Sequence, residues 1–263
     1  MGAGHGPGGG GISAMYVPGH SPVHRLEPHT KLVAVLAFAL VVVLTPVHEG
    51  WAPVAYLAFL LLLLGVAAVA GIRPGRIARG LVVEVPFVFF AALLPLISRG
   101  PRVDVLGLSL SENGLAAGGS ILAKATLSVL AATLLAATTD PRALLRGLDR
   151  LRLPSVLVQI LTFMIRYADV VGGELRRMRV ARESRGFRAR HLGALRVLGP
   201  AAGSLFIRSY ERGERVHLAM LSRGYTGRLP SGPVAAVPAR DWATGLTLPL
   251  SAAAVLATGM LLG

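Results

Sequence analysis

The sequence predicts an all-α integral membrane protein with about five transmembrane helices and a charged, cytoplasmic α-helical segment between the fourth and the fifth. Three observations carry that prediction. Of 263 residues, 53% are hydrophobic and 15% charged, with a mean hydropathy of +0.63, whereas soluble domains carry about 25% charged residues. Several apolar runs are long enough to cross a hydrocarbon core about 30 Å thick. The basic excess, 27 Lys+Arg against 13 Asp+Glu for a net charge of +14, gathers in one stretch and must stay in water. A nucleic-acid-binding protein shares the basic balance but not the apolar runs, so nucleic acid is excluded as a partner. The absence of cysteine excludes disulfide frameworks, thiolate zinc sites, iron–sulfur clusters and thiol catalysis.

Residues 1–20 are Gly-rich and lack the apolar content to bury a core, and read as a disordered tail. Residues 21–139 form an N-terminal transmembrane bundle. Its first span lies near 32–47; the run from Leu32 to Leu44 also has the length of a signal-peptide core, but some 30 residues precede it. Val54 to Ile72 carries no charge and is the clearest span. The third, 81–97, contains Glu84, Pro86 and Pro95, and the fourth, 115–137, contains Lys124 beside Gly118, Gly119 and Ser120. Charges and prolines are tolerated in a span only where they face protein, so these two belong inside the bundle or against a partner. Residues 231–243 form a linker and 244–262 the last transmembrane helix.

Cytoplasmic loops carry the Lys and Arg excess. Arg25 and Lys31 precede the first span, and Arg73, Arg76 and Arg79 lie between the second and third. The loop from Ser98 to Asn113 balances Arg99 and Arg102 against Asp104 and Glu112. Asp140 to Pro230 holds 18 Arg and 7 acidic residues. The N-terminus is therefore expected to be cytoplasmic, in a multi-pass protein of the cell membrane.

Residues 140–230 read as cytoplasmic or interfacial helices, punctuated by Pro154, Gly172-Gly173, Gly186, Gly199-Pro200 and Gly224. Ser155 to Ile165 is apolar but runs into Arg166 and Asp169, as a helix on the membrane surface does; a sixth span is the alternative. Ala194 to Ile207 has the same ambiguity. Within this segment the pattern Ser-Arg-Gly-aromatic-x-x-Arg occurs twice, as Ser184-Arg185-Gly186-Phe187 with Arg190 and as Ser222-Arg223-Gly224-Tyr225 with Arg228. Before the second copy, Arg208, Arg212, Arg215, Ala219 and Arg223 follow helical spacing along one face. A glycine just past a helix end takes the left-handed conformation that terminates it, and a cation in the last turn is favoured by the helix dipole. An arginine held at such a tip can make a bidentate bond to a carboxylate. The simpler alternative is that each arginine caps its own helix or meets anionic lipid; two matched copies on one membrane side favour docking.

At these residues the chain resembles the transmembrane T component of energy-coupling factor (ECF) transporters, in the cobalt/nickel branch called CbiQ. The resemblance runs from about His24 to Arg228 and rests on HRLEPHTKL, PRALLRGLDRLRLPSVLVQILTFMIRYADVV, ELRRMRVARESRGF and GSLFIRSYERGERVHLAMLSRGYTGR. It implies a non-catalytic scaffold held by two ATP-binding-cassette ATPases through two coupling helices, with a small membrane protein, the S component, capturing the substrate. ATP-driven closure would move both helix tips and tilt or release the capture subunit. The docking residues so implied are Ala181, Arg182, Ser184, Arg185 and Gly186 in the first motif and Ala219, Ser222, Arg223 and Gly224 in the second. Arg208, Arg212 and Arg215 form a supporting basic face. The family usually has Ala where this chain has Ser184 and Ser222, and tends to Asp-Pro-Arg where this chain has Glu27-Pro28-His29.

Independently, the two lysines, Lys31 and Lys124, follow no G-x-x-x-x-G, so the chain has no P-loop and any ATP belongs on a partner. No bound cofactor is expected. The seven histidines (His5, His20, His24, His29, His48, His191 and His217) show no metal-binding spacing and read as surface or packing residues. Glu84 and Lys124 are expected to pair within the bundle, a proton or metal path being the alternative. A T component shared by vitamin-capturing S components also fits. So, less well, does a membrane enzyme acting on lipid phosphates, though no D-x-x-D or D-D pattern supports its metal chemistry. A scaffold that only holds anionic lipid through its arginines is the remaining reading.

Overall fold

The computed structural model describes residues 15–47, 49–99, 101–105, 108–186, 195–227 and 238–262. Residues 1–14 of the Gly-rich tail, His48, Phe187, Arg190, His191 and Arg228, and most of the 231–243 linker, lie outside the described residues. The chain divides into two compact units, Met15–Gly147 with Ala236–Gly263, and Leu148–Ala235.

In the first unit α1 (Pro22–Arg25) is a single turn capped by Ser21. The His24 ring meets the Val17 carbonyl at 3.1 Å and the Ser21 hydroxyl at 2.7 Å. Burial holds its pKa below the usual histidine value, and the nearby Lys31 charge acts in the same direction. Helix α2 (Pro28–Leu44) opens on proline, whose missing N–H costs nothing in a first turn. It starts earlier than the predicted 32 and stops short of 47, because Pro46 disfavours helical backbone at Thr45. Helix α3 (Ala52–Ala70) ends on Gly71 at φ +66°. Helix α4 (Pro74–Leu81), a 3-10 turn (Val82–Glu84) and α5 (Val85–Ile97) make one span of 24 residues, Pro74–Ile97. This span begins at Pro74 rather than 81, since arginines such as Arg76 and Arg79 extend a helix although they break an apolar run.

The following loop folds into a hairpin absent from the all-α prediction. Strands β1 (Arg102–Val105) and β2 (Leu108–Ser111) pair antiparallel, Arg102 opposite Ser111 and Val105 opposite Leu108. Their alternating sequences, RVDV and LSLS, suit a two-residue period. Ser111 then caps α6 (Glu112–Thr138) by accepting from the Gly114 N–H. Next come α7 (Pro141–Arg150), α8 (Ser155–Glu183), α9 (Leu195–Leu221) and α10 (Ala239–Leu262).

Fully buried Phe38, Phe59 and Leu63 centre the core of α2, α3, α6 and α10, with Val42, Leu127, Leu130, Leu134 and Ala252 around them. Leu36, Leu57 and Leu61 stay exposed on the same helices, as surfaces facing lipid tails would be. Small residues set the closest approaches, as in membrane helix packing generally. A Cβ at Gly114 would lie 2.7 Å from the Leu94 carbonyl oxygen, and one at Gly118 2.6 Å from that of Ala91, so α5 and α6 meet nearly backbone to backbone. At the two ends of α10, Gly245 faces Thr30 and Gly259 faces the Trp51 ring.

The expected Glu84–Lys124 pair does not form. Lys124 donates instead to the carbonyls of Val43 and Thr45 at 2.8 and 2.7 Å, satisfying the free end of α2, while Glu84 accepts from Thr126 at 3.0 Å. Buried Lys31 makes the reciprocal contact, donating to Thr138 O at 3.0 Å and Thr139 Oγ1 at 3.3 Å at the end of α6. Both lysines thus serve orphan helix-end acceptors, each of which costs several kcal/mol to leave open in an apolar medium.

The second unit holds α8 and α9. Neither Gly172-Gly173 nor Gly199-Pro200 interrupts its helix, contrary to the sequence reading. Each interior glycine costs about 1 kcal/mol, less than the stability of a run of 27 to 29 residues rich in helix formers, and Pro200 removes a single hydrogen bond in the second turn. Ser155–Ile165 is therefore the first part of one long helix, itself long and apolar enough to count among five candidate spans.

Candidate functional site: paired arginine-glycine helix ends

The two Ser-Arg-Gly motifs end α8 and α9 with the same geometry. In the first, the Ser184 N–H donates to Val180 O (2.9 Å), Arg185 N–H to Arg182 O (3.1 Å) and Gly186 N–H to Glu183 O (3.0 Å), with Gly186 at φ +77°. In the second, Ser222 N–H donates to Leu218 O, Arg223 N–H to Met220 O and Gly224 N–H to Leu221 O, each at 3.0 Å, with Gly224 at φ +81°. The serine hydroxyls also act alike, Ser184 donating to Ala181 O at 3.1 Å and Ser222 to Ala219 O at 3.0 Å. Each serine so fills an acceptor that the helix end leaves open. Arg185 and Arg223 stand exposed at the tips, and neither has an ion pair among the described residues.

Beyond the second tip the chain is anchored. Tyr225 donates its N–H to Met220 O, 3.0 Å, a bond that completes the helix-ending motif. Its hydroxyl bonds to Gln159 Oε1, and its ring meets His217 edge-on with centroids 6.5 Å apart. The Gln159 amide donates in turn to Gly227 O at 3.0 Å. Sequence reasoning missed Gln159. The available signal was a lone amide in the apolar run SVLVQIL, which must find partners if it is buried.

The remaining site residues divide. Arg182 is not at the tip: its Nε donates to Met178 O at 3.2 Å and the side chain lines a groove with Leu175, Leu205 and Phe206. On the basic face, Arg208 and Arg212 are engaged by Glu174 of α8, at 3.0 and 3.7 Å, while Arg215 is exposed with no ion pair among the described residues. The arginines spaced along one face of α9 are thus partly a tie to α8. Periodicity could not reveal this, because the acidic partner lies on another helix. No three His, Asp or Glu side chains converge among the described residues as metal ligands would.

Each tip presents a planar guanidinium of the kind that makes bidentate bonds to carboxylate or phosphate. Comparison with known proteins gives them a context. The family model CbiQ, described as cobalt transport protein, matches residues 19–232. The chain is 28% identical over 233 residues to the energy-coupling factor transporter transmembrane protein EcfT of Listeria innocua, covering 82% of this chain and 85% of that one. It is 29% identical over 230 residues to EcfT of Bacillus subtilis, with the same coverage, and 27% over 226 residues to that of Thermosediminibacter oceani, covering 81% and 83%. With a match spanning most of its length and five helices able to cross a membrane, the chain belongs to the CbiQ family, as a multi-pass transmembrane T component of an energy-coupling factor transporter.

Proposed function

We propose that this T component couples two ATP-binding-cassette ATPases to a small membrane S component that captures cobalt or nickel ions. Arg185 and Arg223 each enter an acidic groove on one ATPase; closure of the ATPase pair on ATP displaces both tips and tilts or releases the capture subunit. Nucleotide sits on the partners, and this chain contributes no catalysis and binds no cofactor. The N-terminus and both tips lie on the cytoplasmic side. The observation that carries the reading is the bond-for-bond match of two exposed arginine tips without an ion pair among the described residues, which separate lipid contacts do not require. The family description as a cobalt transport protein supports the metal. A coupling subunit shared among vitamin-capturing S components is the second reading, favoured by relatives of matching length whose names mention energy coupling and no metal.

The test is purification of the tagged chain from its native membrane in mild detergent, beside an Arg185→Glu, Arg223→Glu double variant. The parent is expected to bring an ABC ATPase and a small membrane protein, and the double variant to lose the ATPase at least tenfold. Arg73→Glu, a charge reversal away from the tips, is expected to keep both. Equal recovery in all three samples refutes docking through the tips. The identity of the co-purified capture subunit separates the metal from the vitamin reading.

A further inference from the structure

We infer that Glu174 is the pivot of the two coupling helices, a positioning residue that holds the Arg185 and Arg223 tips at a fixed reach on either side of it. Its carboxylate spans from α8 to α9, one oxygen accepting from Arg208 Nη1 at 3.0 Å and the other facing Arg212 Nη2 at 3.7 Å. The Glu174 side chain is 15% exposed, against 61% and 39% for the two arginines, so both guanidinium groups serve a largely shielded carboxylate. Among the described residues no other ion pair joins these helices.

The helices run antiparallel. Gln159, near the start of α8, bonds to Gly227 just past the end of α9, whereas further along α8 Glu174 meets Arg208 and Arg212, earlier in α9. From Glu174 to Arg185 is eleven residues; from its hydrogen-bonded partner Arg208 to Arg223 is fifteen, and from Arg212 to Arg223 eleven. At 1.5 Å per residue the Arg185 tip stands about 16 Å from the contact and the Arg223 tip roughly 16 to 22 Å, in the opposite direction. The Glu174 contact therefore lies between the two tips, as the pivot of a lever does.

Packing alone does not fix that contact. A cavity of about 120 Å³ borders the carboxylate, edged by Tyr167, Ser209 and Gly213. A groove of about 450 Å³ lies beyond it, between Leu175 and Met178 of α8 and Leu205 and Phe206 of α9. Where apolar side chains leave such gaps they forfeit the contacts that would set a register, and the shared carboxylate sets it instead. Displacement of one tip then reaches the other through the crossing. In that role the inference rests on the coupling function proposed above; the geometry of the lever does not.

The chain's lack of cysteine permits a direct measurement. Spin labels on Glu183→Cys and Leu221→Cys, nine residues beyond Glu174 and Arg212 respectively, report the separation of the tips in the full chain by pulsed electron paramagnetic resonance. The parent is expected to give one narrow distance distribution. Glu174→Gln is expected to widen it at least twofold, and Glu174→Arg combined with Arg208→Glu and Arg212→Glu to narrow it again. Should Glu174→Gln not fold, Glu174→Asp, shorter by one methylene, is expected to broaden the distribution or shift its mean. An unchanged distribution in whichever variant folds, or no rescue by the reversed charges, overturns the pivot. In the assembled transporter, Glu174→Gln is expected to retain the ATPases and hydrolysis while transport falls at least fivefold; transport at the parent rate overturns its role in coupling. Loss of the ATPases from the double tip variant is scored separately, so failure of docking and failure of the pivot are distinguishable.

Discussion

Gly224 holds a φ of +81° with open space where a side chain would stand, so the constraint there is backbone conformation alone. A left-handed residue with a Cβ costs roughly 1–2 kcal/mol, more if it is β-branched, and asparagine is the side chain that tolerates it best. Gly224→Val is therefore expected to unwind the tip and weaken ATPase recovery several-fold, whereas Gly224→Asn keeps it; equal recovery of the two variants removes the helix-ending argument. The Arg-Gly order was legible in the sequence because both the helix end and the exposed cation are encoded within a few adjacent residues. Glu174 and Gln159 were not, since each acts on a residue more than 30 positions away, and no local pattern marks such a partner.

Two neighbouring glycines of α6 show what an element demands. Gly118 lies against the backbone of Ala91 on α5, while nothing comes within 4 Å of a Cβ at Gly119. Gly118→Leu is expected to force α5 and α6 apart at a cost of about 1–3 kcal/mol, the usual penalty of overpacking. Gly119→Leu, facing outward, is expected to be nearly neutral. Thermal unfolding of the two variants in detergent checks this, and similar melting temperatures would contradict the close approach. The apolar runs announced the helices, but their limits followed capping, proline placement and tertiary support. Hence the span made of α4 and α5 begins at Pro74, and α8 passes through Gly172-Gly173 where punctuation suggested a break. The two lysines show the same limit: their charge was visible, but not that each would satisfy a helix end, Lys124 on α2 and Lys31 on α6.

For the whole molecule, topology depends on whether α8 crosses the bilayer. Its first eleven residues are uncharged, but Arg166, Asp169 and Glu174 follow before a run of arginines, and charges at membrane depth are costly. If α8 stays on the cytoplasmic side, α2, α3, α4 with α5, α6 and α10 make five crossings, and from a cytoplasmic N-terminus a C-terminal epitope is expected outside. If α8 crosses and α9 does not, the epitope lies inside. Accessibility of that epitope in intact cells and in inverted vesicles decides between the two, and protection in cells with exposure in inverted vesicles would sink the five-crossing topology. The sequence by itself determined the membrane class, the helical architecture, the basic segment and the paired tips, because hydropathy, charge and helix-ending residues act locally. Only the tertiary structure decided which charges are occupied. Lys31, Lys124, Arg208 and Arg212 find their partners on other helices, and electrostatic pairing depends on distance in space, which chain position does not carry.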